Sequence, residues 1–162
     1  LMATLSKGLG GYGAFVAGSD ALCEWLIQRA RNYIFTTALP PAVACAALAS
    51  LQVVQQEPER RIALQQRIDQ FQAGANALGL PVGDSRTAVQ PLILGDEALT
   101  MGVAAKLAND GVLVGAIRPP TVPKGTSRLR ITLCADHTAA HIDQLLDRLN
   151  THIPKHVLRM AS

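Results

Sequence analysis

The sequence has few cysteines, few aromatic residues and few charges. Cys23, Cys45 and Cys134 are odd in number and have no C-x-x-C spacing, so neither a disulfide framework nor a cysteine zinc site is indicated. We expect buried, free thiols in a reducing cytoplasm. Aromatic residues make up 4% of the chain, and the formal net charge is +3 with no lysine and arginine run longer than a pair. This composition argues against DNA or RNA as a partner.

Long hydrophobic runs are also lacking. The most apolar stretch, PAVACAALASLQVV, is too short and too rich in alanine to cross a bilayer core of ~30 Å. The chain does not open with a charged segment followed by an apolar one, as an export signal would. We therefore expect a cytoplasmic protein with no membrane partner. Its 162 residues, 49% of them hydrophobic, are enough for a compact globular core.

One glycine-rich stretch, TLSKGLGGYGAF from Thr4 to Phe15, holds a single lysine, Lys7. Gly8, Gly10 and Gly13 fit a G-x-G-x-x-G dinucleotide loop, but they lead into a predicted strand and no acidic residue stands about twenty positions later. Lys7 precedes the glycines, whereas a Walker A lysine follows them. A solvated lysine on a glycine turn is one interpretation. The other is an amine that forms an imine with a cofactor such as pyridoxal phosphate, which small glycines would let approach closely.

Hydrophobic spacing predicts an α/β fold in two parts, with a boundary between residues 78 and 79. In the first part, a short strand over Ala14–Gly18 precedes a helix capped by Ser19. An apolar helix from Pro41 to about Gln55 suits a core or a subunit interface, and an amphipathic helix opens at Pro58.

In the second part, residues 79–162, the same spacing predicts the order strand, helix, strand, strand, helix, with a short, largely antiparallel sheet. Pro91 marks its first strand as an edge strand. In RLRITLC, alternation puts Leu129, Ile131 and Leu133 on one face and Arg128, Arg130 and Thr132 on the other. The remaining elements are a helix over Glu97–Asn109, a strand over Val112–Ile117 and a last helix from about Asp136 that buries Ile142, Leu145, Leu146 and Leu149.

Five motifs resemble, in order, those of the α-oxoamine synthases, which are fold-type I pyridoxal phosphate enzymes. They are TLSKGLGGYGAFVAGS, IFTTALPP, AVQPLILGD, AIRPPTVPKGTSRLRITL and ADHT. One departure is Ala3, where the family commonly has glycine. The resemblance implies that residues 1–78 are the end of the cofactor-binding large domain and residues 79–162 the C-terminal small domain. It also implies that the N-terminal half of such an enzyme lies outside this sequence.

The resemblance assigns the cofactor, pyridoxal 5'-phosphate, to four residues. Lys7 would hold the cofactor and then act as acid and base at the substrate α-carbon. Thr4 would hydrogen-bond the phosphate. Thr36 and Thr37 match a hydroxyl pair that reaches the cofactor phosphate of a neighbouring subunit, so a homodimer is implied. Without the resemblance, these threonines would be an ordinary loop before a helix.

The same resemblance assigns the substrate to the second part. Arg130 matches an arginine that grips the amino-acid carboxylate, a task that suits its planar fork. Thr121 matches a substrate-contacting threonine, and Arg118 and Arg128 are weaker candidates. Within the family, the loop resembles the member that condenses L-alanine with a pimeloyl thioester, carried on coenzyme A or on a carrier protein, with loss of carbon dioxide. A glycine-using member, or a fragment without catalytic activity, is the alternative.

Two histidine pairs, His137 with His141 and His152 with His156, have the i, i+4 spacing of helical metal ligands. Solvated helix ends are the alternative interpretation of both pairs. We expect solvated side chains there and no metal.

Overall fold

The computed structural model describes residues 1–158. These residues divide into two compact units, the first over Leu1–Pro58 and the second beginning at Glu59. The first unit contains β1 (Met2–Thr4), β2 (Ala14–Val16), α1 (Asp20–Arg29), α2 (Arg31–Ile34) and α3 (Pro41–Gln56). The second contains α4 (Glu59–Ala77), β3 (Val89–Gly95), α5 (Glu97–Asn109), β4 (Gly115–Ile117), β5 (Ser127–Thr132), α6 (Ala139–His152) and α7 (Lys155–Leu158).

The first unit is built on a two-stranded antiparallel hairpin. Met2 of β1 pairs with Val16 of β2, and Thr4 pairs with Ala14. The predicted strand after the glycines is confirmed, as is the Ser19 cap, whose side chain accepts a hydrogen bond from the Leu22 N–H. The sequence did not predict β1, because three residues are too few to establish an alternation.

No residue of the first unit is buried within the described chain. The helix predicted from Pro41 is present as α3, yet its apolar side chains are uncovered, with Leu48 62% exposed. Local hydrogen bonds, rather than a core, therefore hold this unit's shape. The prediction of buried thiols is wrong for Cys45 and Cys134, which are exposed and free.

The second unit packs helices on a three-stranded antiparallel sheet of order β3-β5-β4. The predicted element order is confirmed, the helix over Glu97–Asn109 has the predicted bounds, and the strand with Pro91 lies at an edge. On β5, Leu129 and Ile131 are buried while Arg130 on the opposite face is exposed.

The core of this unit depends on contact between α4 and α6. An added Cβ on Gly74 would overlap the end of the Leu146 side chain, so any larger residue here would require Leu146 to move. The compact units divide before α4 because α4 contributes Ile68, Phe71 and Ala75 to the core. The boundary between residues 78 and 79 stays a prediction about domains. The core as a whole consists of Ile68, Phe71, Ala75, Leu80, Leu92, Leu94, Val103, Leu107, Leu129, Ile131, Leu133, Ile142, Leu145, Leu146, Leu149 and Ile153.

Three histidines of this unit hydrogen-bond neighbouring groups. His141 is exposed at the start of α6, as expected for a solvated helix end, whereas His137 and His152 are half-buried. His141 completes a capping box with Thr138 at the start of α6. His137 Nδ1 accepts the Cys134 N–H, and His152 Nε2 donates to Asp110. Within residues 1–158, no group of three or more potential ligands could hold a metal ion. No helix in that range is long and apolar enough to span a membrane.

We predict that Phe71→Ala lowers the free energy of unfolding by about 3–5 kcal/mol, because a fully buried ring leaves a cavity. The measurement is urea unfolding followed by far-UV circular dichroism. Phe35→Ala is the matched control, since that ring is 76% exposed, and we expect a change below about 1 kcal/mol. Equal losses for the two variants would contradict the assignment of the core to the second unit.

Asp110 links the end of α5 to α6. Its Oδ2 accepts a hydrogen bond from His152 Nε2 at 2.7 Å and lies 3.6 Å from Arg148 Nε. The hydrogen bond from His152 holds the pKa of Asp110 below its ordinary value; desolvation opposes this effect, and the charge of Arg148 adds to it. A carboxyl group whose pKa is lowered by folding stabilises the folded chain at pH values above its pKa in the unfolded chain, ~3.9. It loses that contribution as the pH falls through the folded pKa.

We therefore predict that Asp110→Asn lowers the urea midpoint at pH 7, and that its difference from the unchanged chain narrows below about pH 4. Asp136→Asn, at an exposed position, is the control. If the urea midpoint of Asp110→Asn differed from that of the unchanged chain by the same amount at pH 7 and below about pH 4, the carboxylate charge would not stabilise the fold.

Candidate active site

Lys7 lies in the loop that joins β1 to β2. The Leu5 N–H donates to the Gly13 carbonyl at 2.9 Å, and the Gly11 N–H donates to the Leu5 carbonyl at 2.8 Å. A third bond, from the Gly10 N–H to the Lys7 carbonyl at 2.9 Å, closes a tight turn that starts at Lys7. Three backbone bonds thus determine the position of this lysine, and its side chain is exposed.

Two glycines of this loop differ in what surrounds them. Gly13 has φ +104°, a conformation that favours glycine, and an added Cβ would lie 3.1 Å from Leu39 Cδ1. At Gly8, directly after Lys7, a Cβ would meet no atom within 4 Å. The structure therefore leaves open space beside the lysine for the planar ring of a cofactor.

The three predicted phosphate-binding threonines are all in the first unit. Thr4 ends β1, and Thr36 and Thr37 lie between α2 and α3. The contact of Leu39 with Gly13 places the segment that follows Thr37 against the glycine loop. All three threonines are exposed, and their hydroxyls form no hydrogen bond with residues 1–158. An exposed lysine amine, open space beside it and hydroxyls that have no partner within residues 1–158 fit pyridoxal phosphate.

Arg130 occupies the middle of the sheet in the second unit. It lies on the central strand β5 and pairs with Pro91 of β3 and Gly115 of β4. These two neighbours carry small side chains or none, so the guanidinium on the outer face is not covered. Thr121 is exposed in the loop between β4 and β5, where its N–H donates to the Arg118 carbonyl at 3.0 Å.

The weaker arginine candidates are engaged elsewhere. Arg118 Nη1 lies 3.1 Å from Glu97 Oε1, and Arg128 Nε donates to the Thr126 carbonyl at 2.9 Å. Arg130 forms neither an ion pair nor a hydrogen bond from its side chain within the described chain. Of the three, Arg130 is the side chain available to a carboxylate.

Sequence reasoning missed the residues that shape the glycine loop. Leu39 packs on Gly13 and Leu5 closes the loop through its backbone, yet both look like ordinary apolar residues in the sequence. The only signal that could have identified Leu39 is its position two residues after the threonine pair. The residues predicted to bind cofactor lie in the first unit, and those predicted to bind substrate lie in the second.

Comparison with known proteins gives a consistent set of relatives. The 8-amino-7-oxononanoate synthase of Cellvibrio japonicus is 58% identical over 149 residues, which are 92% of this chain and 37% of that protein. The chain therefore spans less than half the length of this relative.

Two solved structures share the backbone fold. The 8-amino-7-oxononanoate synthase from Francisella tularensis is 34% identical with a TM-score of 0.82, over 93% of this chain and 44% of that one. A serine palmitoyltransferase from S. paucimobilis, solved with pyridoxal phosphate and myriocin, is 28% identical with a TM-score of 0.85 over 99% of this chain and 39% of that one.

The predicted α/β class with small antiparallel sheets is confirmed, and it agrees with the fold of these two solved structures. Residues 1–149 match the model of one family, aminotransferase class I and II. That match covers most of the sequence and includes the lysine loop and the arginine strand. The chain belongs to the aminotransferase class I and II family.

Proposed function

We propose that this chain is the C-terminal part of an 8-amino-7-oxononanoate synthase, an α-oxoamine synthase of biotin biosynthesis. The reaction is the decarboxylative condensation of L-alanine with a pimeloyl thioester. The 58% identity to the Cellvibrio japonicus synthase is the observation that carries this proposal. Residues 1–78 are then the end of the cofactor-binding large domain, and residues 79–162 are the small domain.

Pyridoxal phosphate is the proposed cofactor. When bound, it withdraws electrons from the substrate α-carbon and so stabilises the carbanion that attacks the thioester. Lys7 holds the cofactor through its side-chain amine. Thr4, Thr36 and Thr37 offer hydroxyls to the phosphate, and their lack of partners within the described chain supports this role. If Thr36 and Thr37 serve the site of a second subunit, the enzyme is a homodimer.

The substrate residues act by binding and orienting the amino acid. The Arg130 guanidinium can donate two parallel hydrogen bonds to the carboxylate of L-alanine, which sets the direction of the α-carbon. Thr121, on the exposed loop, contacts the substrate beside it. The Lys7 amine, once it is not attached to the cofactor, accepts the proton of the α-carbon and later returns one.

Two alternatives differ in what they predict. Another α-oxoamine synthase, such as 2-amino-3-ketobutyrate ligase, would use glycine in place of L-alanine, and the likeness to serine palmitoyltransferase structures favours the family as a whole. A fragment without catalytic activity would take no substrate. The higher identity to the synthase favours L-alanine with pimeloyl-coenzyme A or a pimeloyl carrier protein. Such an enzyme works in the cytoplasm, without nucleic acid or membrane.

We predict that Lys7→Ala, in the full enzyme that contains this chain, lowers alanine-dependent release of thiol from pimeloyl-coenzyme A by more than about 100-fold. The amine is needed both to hold the cofactor and to move the proton. Lys106→Ala is the control, because Lys106 is an exposed lysine in the last turn of α5. Turnover by Lys7→Ala at the control's rate would refute the proposed function.

For Arg130→Lys we predict a rise in the KM for L-alanine of roughly tenfold or more, with a smaller change in kcat, because lysine cannot form the bidentate contact. Steady-state kinetics at saturating thioester measure both constants. Arg128→Lys is matched in strand and face, but its Nε already donates to Thr126. If Arg128→Lys raised the KM and Arg130→Lys did not, the carboxylate site would have been assigned to the wrong arginine.

A further inference from the structure

The loop that carries Thr121 connects β4 to β5 and is folded as two tight turns. In the first turn, the Thr121 N–H donates to the Arg118 carbonyl at 3.0 Å. In the second, the N–H and the hydroxyl of Thr126 both donate to the Pro123 carbonyl, at 3.2 and 2.8 Å. These bonds determine the internal shape of each turn. They do not determine where the loop as a whole lies relative to its neighbours.

Two arginine side chains attach the ends of this loop to the rest of the unit. At the end that leads into β5, Arg128 Nε donates to the Thr126 carbonyl at 2.9 Å. At the end that leaves β4, Arg118 Nη1 donates to Glu97 Oε1 at 3.1 Å. This second attachment joins the loop to a different element, α5, across 21 positions of the sequence.

Glu97 belongs to a helix that is itself held in place. It is the first residue of α5, whose N-terminus is capped by the Asp96 side chain through the Leu99 N–H at 2.7 Å. The same helix has three buried residues, Thr100, Val103 and Leu107. The Glu97 carboxylate is therefore carried by a backbone whose position the core determines.

The loop is not packed against the start of this helix along its whole length. An open pocket lies between them and is lined in part by Glu97, Lys124 and Ser127. The ion pair thus connects two elements that side chains do not fill in between. Both partners have half-exposed side chains, and an ion pair of this kind changes an equilibrium by no more than about fivefold. Its loss should therefore weaken a function of the loop without abolishing it.

We propose that Glu97 is a positioning residue, which acts through Arg118 to hold the turn that carries Thr121 in place for substrate binding. The Arg118 backbone closes this turn and the Arg118 side chain reaches Glu97, so one residue connects Glu97 to Thr121. Arg118 then serves the loop and does not bind the substrate. The inference rests on the proposed function for the role of Thr121, and on the contacts of the loop for the role of Glu97.

The first test is steady-state kinetics of the full enzyme that contains this chain. Glu97→Gln keeps the size of the side chain and removes its charge. We expect the KM for L-alanine to rise about two- to fivefold and kcat to change by less than about twofold, because the loop contributes to binding and not to chemistry. Glu59→Gln is the matched control, since Glu59 is likewise an exposed first residue of a helix. We expect it to leave both constants unchanged.

Two double variants show whether the effect passes through the proposed contacts. Arg118→Gln added to Glu97→Gln should raise the KM no further than the larger single change, since either substitution removes the same ion pair. In a Thr121→Ala background, Glu97→Gln should not change the KM, because the hydroxyl that it positions is gone.

Additive effects in either double variant would overturn the inference. An Arg118→Gln effect more than about tenfold larger than that of Glu97→Gln would also overturn it, because Arg118 would then bind the substrate directly. An unchanged KM in Glu97→Gln would have the same consequence.

A second readout follows the loop without turnover. Lys124 is exposed in the loop, and trypsin cleaves after lysine where the backbone opens locally. We expect Glu97→Gln to speed cleavage after Lys124, mapped by mass spectrometry, about two- to fivefold, and Glu59→Gln to leave the rate unchanged. Equal rates for the two variants would overturn the attachment of the loop to Glu97. An enzyme that does not turn over L-alanine would refute the proposed function instead, so the two failures are distinguishable.

Discussion

The contact between α4 and α6 is the packing interaction on which the second unit depends. Gly74 lets the two helices approach until Leu146 fills the space that a side chain would occupy. Phe71 is completely buried in the core that this approach closes. Leu129 and Ile131, on the inner face of β5, belong to the same core. Their burial fixes which face of the strand points outward. Arg130 lies on this outer face, and within residues 1–158 its guanidinium forms no ion pair and no hydrogen bond.

The first unit places its reactive group by a different means. None of its residues is buried, so hydrophobic burial cannot determine where Lys7 lies. Backbone hydrogen bonds from Leu5, Gly10 and Gly11 determine it instead, together with the left-handed conformation of Gly13. The exposed apolar side chains of α3 are what one expects of a unit that matches part of a longer relative.

Much of the fold could be predicted from the sequence wherever a pattern of apolar and polar residues was long enough. The alternation in RLRITLC assigned Leu129 to the core and Arg130 to the outer face, and Asp96 together with the apolar spacing after it fits the observed helix Glu97–Asn109. The break between α1 and α2 at Ala30 was not predicted, because no proline or glycine marks it. The bond from His152 to Asp110 joins residues 42 positions apart, a relation that no local pattern reports.

The residues of the candidate site likewise include some that the sequence could predict and some that it could not. The glycines drew attention to Lys7 and the alternation in β5 put Arg130 on the outer face, but the roles predicted for both came from the resemblance to the α-oxoamine synthases. An open pocket lined in part by Glu97, Lys124 and Ser127 was not predicted, because its lining comes from the start of a helix, a loop and a strand that meet only in the folded unit.

The measurement that tests the central claim most directly is the intact mass of the enzyme that contains this chain, after addition of pyridoxal phosphate and reduction with borohydride. Reduction makes the bond between cofactor and amine permanent, and peptide mapping then identifies the modified residue. The account predicts one adduct per chain, on Lys7. An adduct spread over several lysines, or one confined to another lysine such as Lys124, would contradict it.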